Sequence, residues 1–153
     1  MFNDSNNNIN IGEAYKTLTI IWFAMLMSQF ILLAVVFFVK PEVYRFDSSK
    51  LFSGEGFILL PVLGIFGIVL FGMSFVFRKN YINQGINTQN IGTLQTGMIL
   101  GCAFSEAITL FGVVIAFVNG SPLFLLWVAL GILGIILSFP KRENLIATSY
   151  KRQ

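Results

Sequence analysis

One residue in this chain stands out for the chemistry it could do. Glu106 lies inside "GCAFSEAITLFGVVIAF", residues 101–117, a run otherwise made of apolar and small side chains. An ionisable group in such surroundings can take up and release a proton, hold a cation, or bond one helix to another. Gln29 is the polar residue at the matching place in the first apolar segment. Little else is available for chemistry. The chain has no histidine, and its single cysteine, Cys102, lies in the same apolar run, so no intrachain disulfide can form. No phosphate-binding glycine loop, nucleophile elbow or metal-ligand spacing is present. The residues point to neither an enzyme, nor a metal, nor a cofactor.

The elements that must position Glu106 follow from composition. Of the 153 residues, 56% are hydrophobic and 11% charged, with a mean hydropathy of +0.78. Soluble domains sit near 45–50% apolar and about 25% charged, so this much apolar surface has to face lipid. Four segments are long enough for the roughly 17–25 residues a spanning helix needs: 17–39, 57–77, 93–118 and 123–139, the last only just. The expected fold is an all-α integral membrane protein with four transmembrane helices over 17–139. A polar tail, 1–16, precedes them and a basic tail, 140–153, follows. The first segment is expected to stay as a span: its asparagine-rich leader has no basic residue before Lys16, and no small-x-small cleavage site follows it.

Orientation follows from basic residues in short flanks. Lys16, Arg78, Lys79, Lys141, Arg142, Lys151 and Arg152 fall on one side and Lys40, Arg45 and Lys50 on the other. This predicts a multi-pass protein of the plasma (inner) membrane with both termini cytoplasmic. The basic residues are dispersed, so the bilayer, and no nucleic acid, is the expected partner. "NGS" at Asn119 reads as a tight turn, because Asn-Gly tolerates left-handed backbone.

The helices also resemble one another. "FILLPVLGIFGIVL" from Phe57 and "FLLWVALGILGIIL" from Phe124 share eight of fourteen positions, among them Gly64/Gly131 and Gly67/Gly134. "SQFILLAVV" from Ser28 lines up with "SEAITLFGVV" from Ser105. The expected arrangement is two parallel homologous hairpins, residues 10–80 and 90–144, with Gln29 in the first at the place of Glu106 in the second. A Gln amide can donate to a carboxyl oxygen and accept from its proton, so Gln29 and Glu106 are expected to pair. The small residues Gly97, Gly101, Ser105, Thr109, Gly112 and Ala116 are expected to let helices pack closely.

A charged side chain at a helix centre costs about 2.5–3.5 kcal/mol on the insertion scale, and each Leu, Ile, Phe or Val returns about 0.3–0.6. Between Gly97 and Val118 there are eleven of those four types, worth roughly 3–7 kcal/mol. The helix can insert with Glu106 at its middle, and hydrocarbon favours the neutral form of the carboxyl. Two readings stay open: a proton or ion site, and a structural bond between helices.

The stretch "GTLQTGMILGCAFSEAITLFGVVIAF" from Gly92 resembles the carboxylate-bearing helix of the rotor-ring proteolipid, the c subunit, of rotary ATP synthases. The resemblance implies that Glu106 holds the ion-carrying position, with Ser105 and Thr109 nearby on the helix as supporting donors, and that the chain forms a homo-oligomer. Three features depart from that family. The place of its polar-loop motif reads "INT" from Ile86. The glycines of the partner helix, Gly64, Gly67 and Gly72, are sparser. Doubled forms of the family carry their carboxylate on the last helix instead of the third. The alternative is a non-transporting four-helix protein that serves as a structural or partner subunit of a larger membrane complex.

Overall fold

The computed structural model describes residues 11–45 and 59–149, with side chains placed from residue 61 in the second segment and up to residue 148. The leader 1–10, the segment 46–58 with Lys50 and Glu55, and residues 150–153 with Lys151 and Arg152 lie outside the described residues. All regular structure among the described residues is helical: α1 (Ile11–Val39), a 3-10 turn (Pro41–Tyr44), α2 (Leu59–Asn87), α3 (Ile91–Asn119), α4 (Phe124–Leu137) and α5 (Arg142–Ser149).

Three helices are long and apolar enough to cross a membrane: Ile11–Val39, Pro61–Asn87 and Ile91–Asn119. At 1.5 Å per residue, 29 residues reach about 43 Å, well past a hydrocarbon core of about 30 Å. The fourth expected span is shorter. α4 has 14 residues, about 21 Å, and qualifies as a crossing only together with α5, to which it is bent by 46°. Large side chains such as Phe30, Phe38, Ile65 and Ile68 stand exposed along α1 and α2, which suits helices whose outer faces meet lipid.

α3 is the centre. Its most apolar window is 44% buried, against 11% for α1 and for α2, and it packs on all the other helices. One core cluster joins Ala14 and Leu18 of α1 to Leu94 and Met98 of α3, Leu145 of α5, and Ile82 and Ile86 of α2. At the opposite end Val36 and Val43 meet Ile115 and Ala116 of α3, Phe124 and Val128 of α4, and Leu63 of α2. α1 and α3 therefore run in the same direction, and α2 and α4 run against them.

Two further features differ from the sequence expectations. α1 lies on α3 and α4 and makes little direct contact with α2, so the first two spans are not a packed pair. The small residues explain why: α2 and α3 approach through Gly85 and Gly97, where an added Cβ would come within 2.8 Å of the Leu94 amide and 2.6 Å of the Tyr81 Cβ. α1 carries no glycine after Gly12. The second helix also continues beyond Phe77 to Asn87, because Tyr81, Ile82 and Ile86 still have α3 to pack on. It ends at Gln89, whose φ of 51° is left-handed. Asn90 N–H bonds to the Gly85 carbonyl at 2.9 Å and Gln89 N–H to that of Ile86, the Schellman pattern. The Asn90 side chain then caps α3 by accepting from Thr93 N–H. At the far end of α3 the expected Asn-Gly turn is seen, with Gly120 at φ 60°.

Candidate functional site

Glu106 sits near the middle of α3, at the seam with α1. Ile99, Ala103 and Leu110, one or two turns away on the same side of α3, are exposed, and Glu106 is half-buried. Its carboxyl therefore lies at the edge where α1, α3 and lipid meet. The partner is Ser28 of α1: Ser28 Oγ is 2.7 Å from Glu106 Oε1. The same hydroxyl is 2.8 Å from the Met25 carbonyl oxygen.

That double contact constrains the protons. A serine hydroxyl has one proton to donate, and a peptide carbonyl can only accept. When Glu106 is ionised, the Ser28 proton goes to Oε1. When Glu106 is protonated, its own O–H can donate to Ser28 Oγ, while the serine proton turns to the Met25 carbonyl. A Ser28–Glu106 hydrogen bond can thus be kept in both protonation states by rotation of one hydroxyl, without movement of either helix.

The other expected site residues lie elsewhere. Gln29 is fully buried, and neither end of its amide has a hydrogen-bond partner among the described residues. The expected Gln29–Glu106 bond is not made. One residue along a helix is a rotation of about 100°, and it is Ser28, not Gln29, that faces the carboxyl. Ser105 and Thr109 are likewise fully buried but serve the contact with α4. Ser105 Oγ donates to the Gly101 carbonyl at 2.9 Å, and a Cβ on Gly134 would first meet that hydroxyl. A Cβ on Gly131 would run into Thr109 Oγ1 and the Ser105 carbonyl. Neither residue bonds to Glu106.

Sequence reasoning missed Ser28 as a partner, although Ser28 is the midpoint of the apolar run 17–39 and had been matched to Ser105. It also missed what holds α1 in place. Trp22 Nε1–H donates to the Ile135 carbonyl at 2.7 Å, and its ring meets Phe139 edge-on at 5.0 Å. Lys40 Nζ donates to the Phe117 carbonyl at 2.7 Å, satisfying one of the last carbonyls of α3. Arg78, read from sequence only as an orientation charge, donates to the Leu137 and Phe139 carbonyls at the end of α4.

No group of three or more metal-ligating side chains occurs among the described residues. Comparison with known protein families, with characterised proteins and with solved structures gives no match for this chain.

Proposed function

We propose that this chain is a multi-pass membrane protein in which Glu106 takes up and releases a proton within the membrane, with Ser28 as its switching partner. The observation that carries this reading is the position of Ser28 Oγ between two acceptors, 2.7 Å from Glu106 Oε1 and 2.8 Å from the Met25 carbonyl. The proton is preferred over a metal cation because hard cations such as Ca2+ take six or more oxygen ligands, and one carboxyl and one hydroxyl meet here.

The resemblance to the rotor-ring proteolipid fits this reading: a carboxyl at mid-helix, at the lipid-facing edge of a seam between two parallel helices. A homo-oligomer would place that edge against a neighbouring copy. The eight positions shared by 57–70 and 124–137 support an origin by duplication, and α1 and α3 run parallel as that origin requires; the two glycine pairs no longer pack alike, since Gly64 and Gly67 meet Trp127 of α4 while Gly131 and Gly134 meet α3. The orientation with both termini in the cytoplasm is supported by the described cations: Lys16, Lys141 and Arg142 lie at one end of the bundle and Lys40 and Arg45 at the other, while Arg78 and Lys79 lie within α2, in the half nearer the first end.

Dicyclohexylcarbodiimide tests the site, because it modifies neutral carboxyls in apolar surroundings. Glu106 should be labelled, more slowly as the pH is raised, and Glu106→Gln should abolish labelling. Modification of Glu13, Glu42 or Glu55 with Glu106 untouched would remove the proton-site reading. The alternative, a structural subunit bonded through Ser28 and Glu106, rests on the same contact. It would show as a loss of stability in Glu106→Gln with no Glu106 labelling at any pH.

A further inference from the structure

At the α5 end of the bundle, two adjoining recesses combine opposite characters. The first is an open recess of about 510 Å³ along the outer face of α1, lined by Tyr15, Lys16, Thr19, Ile20, Trp22 and Phe23. The second, of about 310 Å³, lies at the break between α4 and α5, between Phe139, Pro140, Lys141, Arg142 and Glu143. Tyr15 lines both recesses. The Trp22–Phe139 ring contact ties the wall of one to the wall of the other.

We propose that these recesses together bind one anionic phospholipid. An acyl chain lies along the groove on α1, and the phosphate is held by Lys16, Lys141 and Arg142. The groove is lined by apolar and aromatic side chains along a lipid-facing helix, which suits a hydrocarbon chain. None of the three cations forms an ion pair with a described residue, and all three are exposed. Clusters of basic residues beside transmembrane helices attract anionic headgroups, at about a fivefold gain in affinity per cation. Glu143 opposes this and disfavours a headgroup with more than one negative charge. A soluble anion would engage the cations but leave the apolar groove empty, so the lipid, not free phosphate, is the fitting occupant.

The chain has two tryptophans, so Trp127→Phe leaves Trp22 as the only reporter in the groove. In phosphatidylcholine vesicles, a minority of chain-brominated phosphatidylglycerol should quench Trp22 more than the same amount of chain-brominated phosphatidylcholine. Replacing Lys16, Lys141 and Arg142 by Gln should remove that preference, with single replacements each reducing it about fivefold. Glu143→Gln should strengthen it. Native mass spectrometry of the unaltered chain gives an independent readout if Trp127→Phe folds poorly: phosphatidylglycerol should be retained over phosphatidylcholine. Equal quenching or equal retention of the two lipids overturns the proposal, as does a preference that survives the triple replacement. Displacement by an equal concentration of inorganic phosphate would assign the cations to a soluble anion and overturn it as well.

Discussion

α1 and α3 run parallel and are equally long, yet they are held by different physics. α3 is built for contact: Gly97, Gly101 and Gly112 let α2 and α4 come so close that an added Cβ would meet Tyr81, Arg78 or the Phe124 carbonyl. Without a strong hydrophobic force between helices in lipid, such packing is the main source of association. α1 has bulky side chains on nearly every face and is fastened by separate polar bonds at Trp22, Ser28 and Lys40. The candidate site lies at the seam between the close-packed helices and the tethered one. A carboxyl there can change its hydrogen bonding without disturbing the close-packed part.

If that division is right, disrupting the close-packed side should cost most. Gly131→Ala puts a methyl group against Thr109 Oγ1 and the Ser105 carbonyl, and backbone cannot yield cheaply. The expected loss is about 3 kcal/mol, the upper end of overpacking costs, read as a fall in unfolding free energy in mild detergent or bicelles. A loss near zero would show that α3 and α4 are not in tight contact at that position.

Removing the tether at the site should cost less. Ser28→Ala and Glu106→Leu should each destabilise by about 0.6 kcal/mol and by no more than about 1.7, the mean and the maximum for interhelical hydrogen bonds in membranes, and they should be non-additive in a double-mutant cycle. The Gln29→Leu and Glu106→Leu pair should be additive, since Gln29 makes no bond to the carboxyl. The reverse outcome would put Gln29 at the site and turn α1 by one residue.

At the far end, Tyr44 Oη donates to the Leu33 carbonyl at 3.0 Å, and burial raises its pKa above the usual 10.0. The folded state therefore holds this proton more tightly than the unfolded chain does. Its contribution is complete below pH 10 and is lost as the pH rises through the folded value. Tyr44→Phe should cost about 0.5–1 kcal/mol at neutral pH and flatten the alkaline limb of the stability profile. The smallest effect is expected at Gly72, where an added Cβ meets nothing within 4 Å. Gly72→Ala should be neutral or stabilise by up to about 1 kcal/mol.

Much of the close-packed side was legible in the sequence. Glycines and small residues at four-residue spacing mark α3 as a helix that others approach, and the Asn119–Gly120 turn follows from its residue types. The extension of α2 to Asn87 was hidden, because Arg78 and Lys79 look like the start of a loop when the carbonyls that Arg78 reaches at the end of α4 are unseen. The tethered side was much less legible. With apolar residues around the whole of α1, no stripe fixes its rotation, so the step of about 100° from Gln29 to Ser28 could not be read. Glu106 could be found because a carboxylate in an apolar run is costly. Its partner could not, because a serine there costs little and stands out from nothing.

Infrared difference spectroscopy on the full chain in lipid, recorded as a pH titration, follows the Glu106 proton itself. A protonated-carboxyl band should grow as the pH falls, be absent in Glu106→Gln, and shift to higher frequency in Ser28→Ala, where the hydrogen bond to the carboxyl is lost. A Glu106 that shows no protonated band at any pH, or one whose band is the same with and without Ser28, would contradict the account.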